Sequence, residues 1–422
     1  MERAILVNVA TTKAEKDEAE ESVVELAGLA AAAGAEVVGK VFQVRPRLNP
    51  RWLVGEGKVE EIAAEAREAD ADMVIFDRNL NASQQQNLEK EIKVKVLDRT
   101  QLILDIFAQR ARTNEGKLQV ELAQLVYQLP RLRGKGLSLT QQGAGIGTRG
   151  PGEKKLEVDR RRITDRITRL KRDIDGLGKR RSSQRESRRE GPVPSVTLVG
   201  YTSAGKSTLF NRLAEERRYT SSNLFSTLDP LLRRVSFADG AFFFLTDTVG
   251  FIRKLPVELV TSFRATLEEV GEADGIIHVV DAASPSADEQ LAAVEAVLAD
   301  LGVPDVPVLK VLNKIDLLPD EERALLLRRN EDPSSRTVAV SAKTGEGVPD
   351  LLRKLREALF GGHRLYTIKV PKEIREITDS LARRSLVLKR RENERFVELK
   401  VLAEPAGIAA FLPYIAQGDE TW

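Results

Sequence analysis

A short apolar run leads directly into a glycine-rich loop, and no other segment limits the possible folds of this chain as much. Val196–Val199 has the pattern of a buried strand, and residues 200–207 then read Gly-Tyr-Thr-Ser-Ala-Gly-Lys-Ser. A helical pattern begins at Thr208. Strand, Gly-x4-Gly-Lys-Ser loop and helix form the arrangement of a P-loop, whose backbone amides and helix N-terminus attract phosphate. The sequence therefore predicts a P-loop domain, which we place at residues 191–361.

Two side chains of this loop have defined roles toward a nucleotide. Lys206 can reach the β- and γ-phosphates, and the Ser207 hydroxyl can ligate Mg²⁺. We predict that the phosphates are bound by Gly200, Tyr201, Thr202, Ser203, Ala204, Gly205, Lys206, Ser207 and Thr208.

Residues farther along the chain match the parts that sense a third phosphate. Strand-like Phe243–Thr246 ends in Asp247, which can hold Mg²⁺, and the Gly250 amide can meet the γ-phosphate. Thr227 is our candidate for a switch threonine that caps Mg²⁺; the alternative is an ordinary surface threonine. The predicted catalytic residues are Lys206, Thr227 and Gly250. The predicted metal ligands are Ser207, Thr227 and Asp247.

One position departs from the Ras-like pattern. The residue after Gly250 is Phe251, whereas a glutamine in this region orients the attacking water in Ras-like enzymes. A phenyl ring has no group that can do so. We expect slow basal turnover and strong stimulation by a partner that supplies or orders the missing group.

Two further motifs predict which base is bound. Apolar Val308–Leu312 ends in Asn313-Lys314-Ile315-Asp316, and Val338–Val340 leads into Ser341-Ala342-Lys343. The carboxylate of Asp316 accepts two hydrogens only from a base with an N1–H and a 2-amino group, so it selects guanine over adenine. In this order along the chain, the motifs predict a GTP hydrolase. Its base contacts are expected from Asn313, Lys314, Asp316, Ser341, Ala342 and Lys343.

Residues 113–190 have the pattern of two long helices. Apolar residues repeat at heptad spacing in two stretches, first Leu118, Leu122, Leu125, Leu129 and Leu132, then Leu156, Ile163, Ile167, Leu170, Ile174 and Leu177. Two such stripes can bury each other as an antiparallel hairpin. Gly176 and Gly178 are positions where the second helix is expected to shorten or bend.

The connector between the stripes is rich in glycine and in positive charge. Residues 133–152 contain seven glycines, three basic residues and no acid. Residues 131–190 hold 19 Lys and Arg against 8 Asp and Glu, whereas the whole chain has a net charge of +2. The connector is either the tip of a hairpin that enters a narrow polyanionic site or a disordered linker. The charge indicates either a polyanionic partner or a solvated helix face.

The two ends of the chain predict small mixed domains, so the expected fold class is multidomain α/β. Residues 1–112 alternate apolar and helical stretches, which is typical of an α/β domain with a mostly parallel sheet, and residues 362–422 predict a small α+β domain. The turn at Gly55–Lys58 either binds an anion or only shapes the chain. Zero cysteines exclude disulfides and thiolate zinc sites. No apolar run approaches the roughly 18 residues of a membrane span, so we expect a cytoplasmic protein.

Together these motifs resemble the HflX family of translational GTPases, and the resemblance covers nearly the whole chain. Its most specific parts are Gly145–Glu153, Leu156-Glu157, Asp159-Arg160-Arg161, Gly200-Tyr201-Thr202, Ala204–Asn211, Thr227–Pro230 and Asp247–Ile252.

The resemblance implies a GTPase that binds the large ribosomal subunit through rRNA, with the hairpin loop reaching toward the peptidyl-transferase centre. In the GTP state it would split stalled or idle 70S ribosomes during stress, and away from the ribosome we expect a monomer. The candidate RNA contacts are Arg133, Lys135 and Arg149 at the tip, and Lys154 and Lys155, which stand where the family commonly has Thr-Gln. The alternative is a GTP-gated large-subunit binding factor, for assembly or anti-association, that does not split ribosomes.

Ser203 is a second departure from the family, which usually has asparagine at this position. In related potassium-stimulated GTPases the asparagine helps to hold K⁺ near the phosphates. Serine is shorter and offers one oxygen, so K⁺ as a cofactor stays an open question beside Mg²⁺ and GTP.

Overall fold

The computed structural model describes residues 1–12, 15–132, 151–189, 191–214, 231–248, 250–252, 270–271, 273–300, 302 and 306–416. For residues 15–18, 151–156, 179–189 and 375 it describes the backbone alone. The described residues form two compact units, residues 1–177 and residues 178–416. Among these residues no helix is both long and apolar enough to cross a membrane.

The first unit begins with an α/β domain, as predicted. Its elements are β1 (Glu2–Ala10), α1 (Glu15–Ala32), β2 (Ala35–Val44), α2 (Glu56–Glu68), β3 (Met73–Phe76), α3 (Ala82–Ile92), β4 (Lys95–Asp98) and α4 (Arg99–Arg110). The strands form a sheet in the order β2-β1-β3-β4, and all of these pairs are parallel. β3 is buried along its whole length, because helices joining parallel strands cover both faces of such a sheet.

A buried ion cluster lies where β3 and β4 end. Arg99 is 2% exposed, and its guanidinium donates to Asp77 at 2.8 Å and to Glu25 at 2.5 Å. Ser22 adds a hydrogen bond to Asp77 at 2.7 Å. These contacts hold α1 and α4 against the sheet, since breaking a buried pair leaves a charge without compensation.

A middle helical region follows, in which two helices pack through their heptad stripes. Helix α5 (Asn114–Gln128) begins where the Thr113 side chain accepts a hydrogen bond from the Gly116 amide at 3.0 Å, and α6 spans Pro151–Arg189. The apolar cluster between them contains Leu118, Leu122, Leu125, Val126, Leu129, Ile163, Ile167, Leu170 and Ile174. Glu121 and Arg166 join the helices through two hydrogen bonds of 2.7 Å.

Helix α6 continues through both of its glycines. It contains 39 residues, about 58 Å at a rise of roughly 1.5 Å per residue. We expected Gly176 and Gly178 to shorten or bend it, but the helix does not end at either residue. Each glycine costs only about 1 kcal/mol relative to alanine, which a long helix tolerates.

The second unit is built on a six-stranded sheet. Its elements are β5 (Ser195–Gly200), α7 (Lys206–Leu213), β6 (Leu231–Ser236), β7 (Phe242–Asp247), β8 (Gly275–Asp281), α8 (Ala287–Asp300), β9 (Val308–Asn313), α9 (Asp320–Arg329), β10 (Thr337–Ala339) and α10 (Val348–Phe360). The strand order is β10-β9-β8-β5-β7-β6, and only the pair β6–β7 is antiparallel. β5 therefore lies inside the sheet, flanked by β8 and β7.

The chain then forms a small antiparallel sheet. Its elements are β11 (Arg364–Pro371), α11 (Arg375–Arg384), β12 (Leu386–Glu392), β13 (Phe396–Ala403) and the short α12 (Pro405–Ile408). The strand order is β11-β13-β12. One face packs on Leu381 of α11 and on Ile408 and Phe411. Part of the opposite face contacts Ala241 and Phe360 of the P-loop domain.

Candidate nucleotide-binding site

The P-loop leaves β5 at Gly200 and enters α7 at Lys206, at the carboxyl end of an inner strand. Two of its glycines are needed for steric reasons. A Cβ at Gly200, whose φ is +151°, would lie 2.2 Å from the Val279 carbonyl oxygen. A Cβ at Gly205, whose φ is +92°, would lie 2.2 Å from the Asn313 side-chain nitrogen. Ser203 has φ +63°, a left-handed conformation that asparagine adopts more readily than serine.

Lys206 lies beneath the loop with its ammonium directed at backbone oxygens. Its Nζ donates to the carbonyls of Gly200 at 3.0 Å and Tyr201 at 2.9 Å. Burial lowers the pKa of Lys206 to about 8, against the opposing effect of Asp247. An incoming phosphate would favour the charged form, because a nearby opposite charge raises the pKa of an amine.

A hydroxyl and a carboxylate meet beside the loop. The Ser207 hydroxyl donates to Oδ2 of Asp247 at 3.0 Å, and Asp247, the last residue of β7, is fully buried. The next residue, Thr248, donates its hydroxyl to the Leu198 carbonyl at 2.6 Å, which ties the end of β7 to β5. Two adjacent oxygen ligands of this kind suit Mg²⁺. The third predicted ligand, Thr227, lies outside the described residues.

Gly250 lies directly over the P-loop. The backbone amide of Phe251 donates to the Gly200 carbonyl at 3.1 Å, and its carbonyl accepts from the Thr202 amide at 2.6 Å. A Cβ at Gly250 would approach the Lys206 Nζ to 3.0 Å and the Thr202 Cγ2 to 2.8 Å. This residue is therefore close to the place where a γ-phosphate would meet Lys206.

Phe251 is a core residue and does not face the loop. Its side chain is 3% exposed. It belongs to an apolar cluster with Val199, Val270, Ile276, Val294 and Leu298. The phenyl ring of Phe251 is thus used for packing. Slow basal turnover stays a prediction.

The two base motifs are joined to the P-loop by one buried side chain. The amide nitrogen of Asn313 donates to the Ala204 carbonyl at 2.8 Å, and its oxygen accepts from the Ala342 amide at 2.9 Å. Asp316 accepts a hydrogen bond from the Ser341 hydroxyl at 2.6 Å. The structure therefore brings together residues that lie more than 100 positions apart.

Two residues of this region were not predicted from the sequence. Arg212 on α7 donates to the carbonyls of Ala342 at 3.1 Å and Lys343 at 2.5 Å. Asp281, the last residue of β8, pairs with Lys314 at 2.6 Å. A polar residue at the end of a buried strand is a signal that could have indicated Asp281. Nothing local marks Arg212, since its partners are 130 residues away.

The side chains of the predicted RNA contacts all lie outside the part of the chain that the structure describes. Arg133, Lys135 and Arg149 lie outside the described residues. Lys154 and Lys155 lie on α6, where only the backbone is described. These five residues therefore stay predictions.

Three family models match consecutive parts of the chain. Residues 20–108 match the GTP-binding GTPase N-terminal family and residues 110–188 the GTP-binding GTPase middle region. Residues 195–314 match the family described as 50S ribosome-binding GTPase.

Curated relatives align along most of the chain. GTPase HflX of Caldanaerobacter subterraneus subsp. tengcongensis is 44% identical over 399 residues, which are 94% of this chain and 90% of that protein. GTPase HflX of Escherichia coli K12 is 45% identical over 370 residues, 88% of this chain and 86% of that protein.

Two solved structures align with much of the chain at low similarity. A crystal structure of SsGBP with GDP covers 85% of this chain and 98% of its own, with 26% identity and a TM-score of 0.49. A GTP-binding protein of Sulfolobus solfataricus in complex with GDP covers 85% and 99%, with 24% identity and a TM-score of 0.47.

Proposed function

This chain belongs to the HflX family of GTPases, and from that membership we propose that it binds the large ribosomal subunit and dissociates stalled or idle 70S ribosomes while GTP is bound. The observation that carries the proposal is the match of residues 195–314 to the family of 50S ribosome-binding GTPases. Ribosome dissociation would take place in the cytoplasm, and away from the ribosome the protein would be a monomer.

The exposed side of α6 supports an RNA partner. Its apolar stripe packs against α5, so the remaining surface is available to a polyanion. Exposed cations of α6 other than Arg166, which pairs with Glu121 of α5, are Arg160, Arg161, Arg162, Arg169, Lys171 and Arg172. Cations in such number favour phosphate contacts, whose affinity falls steeply with salt.

We assign the catalytic steps to residues of the P-loop domain. Asp316 would accept the guanine N1–H and 2-amino hydrogens, while Asn313 keeps the base loop against the P-loop. Lys206 would exchange its two carbonyl partners for phosphate oxygens. Ser207 and Asp247, with Thr227, would hold Mg²⁺, which neutralises charge on the phosphates when bound. Since Phe251 is buried, the group that orients water is proposed to come from the ribosome.

We further propose that each domain of the chain has a separate role. Residues 113–190 form the hairpin that reaches the rRNA, with Arg133, Lys135 and Arg149 at its tip and Lys154 and Lys155 beside it. Residues 191–361 form the nucleotide-dependent switch, and residues 1–112 and 362–422 are the flanking domains. GTP would order the loops around Thr227 and after Gly250, and hydrolysis would release the protein.

Sucrose-gradient sedimentation tests this function. Preformed 70S ribosomes are mixed with the full chain and a non-hydrolysable GTP analogue at low ionic strength. We expect separate subunits, with the protein in the large-subunit fractions. Binding of free large subunits without splitting would support the alternative of a binding factor and contradict splitting. No co-sedimentation with either particle would overturn the ribosomal assignment.

The tip residues are tested by charge removal. We expect the triple change Arg133→Gln, Lys135→Gln and Arg149→Gln to abolish splitting and ribosome-stimulated GTP hydrolysis while basal hydrolysis is kept. The matched control removes three exposed lysines of the N-terminal domain, Lys40, Lys90 and Lys95. Equal losses in both variants would show that only total charge matters.

A further inference from the structure

The outer face of the C-terminal sheet, which points away from α11, is divided into an apolar and a cationic half. Leu386 and Leu402 form the apolar half and contact Ala241 and Phe360 of the P-loop domain. On β13, Phe396, Glu398 and Lys400 belong to this outer face. They alternate with Val397, Leu399 and Val401, which are buried on the other face. In the cationic half Lys389 and Arg391 are exposed, and Lys369 and Lys400 are half-buried, so all four cations are accessible to solvent.

The register of the three strands defines two rows across this half. In one row Lys389 of β12 stands directly opposite Lys400 of β13, which is paired in turn with Thr367 of β11. In the next row Arg391 is opposite Glu398, and Glu398 is opposite Lys369. Four cations and one carboxylate thus share six neighbouring positions.

The lysine pair has no evident role in folding. Like charges directly opposite each other destabilise a sheet. The nearby carboxylates already have partners, Glu398 with Lys369 at 3.3 Å and Glu392 with Lys372 at 4.0 Å. Lysine on an edge strand such as β12 can prevent aggregation. That reason covers Lys389 but not Lys400, which lies on the central strand.

An exposed aromatic ring completes the face. Phe396 belongs to the same side of β13 as Lys400 and is 42% exposed. Cations beside an exposed ring on an open sheet are the combination that binds single-stranded nucleic acid, with phosphates at the cations and a base stacked on the ring. An acidic protein would use the cations but gain little from the ring.

We propose that this outer face, consisting of Thr367, Lys369, Lys389, Arg391, Phe396, Glu398 and Lys400, binds a single-stranded RNA segment. It is a second RNA site, separate from the proposed hairpin tip and located in a part of the chain that the matched family models do not reach. That the segment is rRNA rests on the proposed function; the RNA site itself does not.

The direct test is binding of the full chain, with GDP, to a fluorescent oligoribonucleotide of mixed sequence at several salt concentrations. The variant is Lys389→Gln with Lys400→Gln. If both lysines contact phosphate, the slope of log affinity against log salt should fall by about 1.4, which is about 25-fold in affinity at 0.1 M salt. Phe396→Leu should weaken binding without changing the slope, because stacking is not electrostatic.

The matched control is Arg383→Gln with Arg384→Gln. These exposed cations lie on α11, which covers the other face of the sheet. Basal GTP hydrolysis and the melting temperature report folding in every variant. An unchanged slope in the lysine variant, or an equal loss in the control, would overturn the proposal. Equal binding of polyglutamate, dependent on the same lysines, would overturn RNA as the ligand.

Failure of the ribosomal function would be visible separately. If the wild-type chain binds the oligoribonucleotide through these lysines but never sediments with large subunits, the RNA site stands and the proposed function falls. If the wild-type chain sediments with large subunits while the lysine variant binds RNA like wild type, the proposed function stands and the RNA site on the C-terminal sheet falls.

Discussion

Replacing Arg212 with methionine tests whether α7 holds the loop of Ser341, Ala342 and Lys343, which we propose contacts the guanine ring. The guanidinium donates to the carbonyls of Ala342 and Lys343, and Ala342 also donates its amide to Asn313. Methionine keeps most of the aliphatic stem and removes both hydrogen bonds. The base loop would keep its bond to Asn313, the bond from Ser341 to Asp316 and its backbone bonds between Ser341, Gly345 and Glu346.

The size of the effect follows from the two lost hydrogen bonds. Arg212 is an exposed residue, so we use the lower range for hydrogen bonds, about 0.5–1.5 kcal/mol each, or about 1–3 kcal/mol for the pair. If this free energy shifts the loop away from its binding conformation, the observed Kd rises as the competent fraction falls. At about 1.4 kcal/mol per factor of ten, the expected loss is roughly 5-fold to 150-fold.

Titration calorimetry with GDP and with a non-hydrolysable GTP analogue measures this loss. Both ligands carry guanine, so their Kd values should rise by the same factor. The matched control is Arg353→Met on α10, because Arg353 also bonds a backbone carbonyl, that of Asn330 at 3.3 Å, and also pairs with Asp350. We expect nucleotide affinity to be unchanged in the control.

Three results would refute the reasoning about Arg212. The first is an unchanged Kd in a folded Arg212→Met protein. The second is a loss confined to the GTP analogue, which would point to the phosphate end of the site. The third is an equal loss in the Arg353→Met control, which would indicate a general effect on the domain.

Four other residues of the chain give further predictions. Gly250→Ala should weaken binding of a non-hydrolysable GTP analogue more than binding of GDP, because the added methyl would lie 3.0 Å from the Lys206 ammonium. Competition binding measures the ratio of the two affinities. Equal losses for both nucleotides would contradict this prediction. Phosphate should raise the pKa of Lys206 from about 8. Between pH 8 and the raised pKa, GDP binding should take up a proton and lose affinity by up to about tenfold per pH unit. Calorimetry above pH 8 in two buffers of different ionisation enthalpy measures the uptake, and none would contradict the burial argument. Ser203→Asn should raise the melting temperature slightly, because asparagine tolerates φ +63° better, and hydrolysis in KCl against NaCl shows whether it also creates potassium stimulation. Arg99→Met should cost about 3–5 kcal/mol in unfolding free energy by leaving Asp77 buried without its cation, and denaturant unfolding measures the change.

Local backbone requirements explain why the P-loop could be predicted. Gly200 and Gly205 adopt conformations, and approach neighbours to distances, that only glycine tolerates. The heptad stripes were equally informative, since Ile163, Ile167, Leu170 and Ile174 recur at the spacing that one helix face requires. Buried strands were visible as apolar runs, although β10 is shorter at its end than expected and finishes at Ala339.

Contacts between distant segments could not be predicted in the same way. The sequence places Asn313 in a base motif, but its bond to the Ala204 carbonyl spans 109 residues. Phe251 was considered only for its inability to orient water, and its burial in an apolar cluster became visible with the sheet assembled. The opposition of Lys389 and Lys400 depends on strand register, which includes a bulge between Val387 and Lys389.

The amino-acid sequence by itself therefore predicted the chemistry of the chain: which residues are proposed to bind phosphate and base, and where helices and strands form. These properties depend on side-chain type and on spacing within one element, both of which are local. The tertiary structure decided which residues support that chemistry, such as Arg212 behind the base loop and Asp281 beside Lys314. It also decided which surfaces remain open, because strand order and register are set by burial summed over the whole sheet.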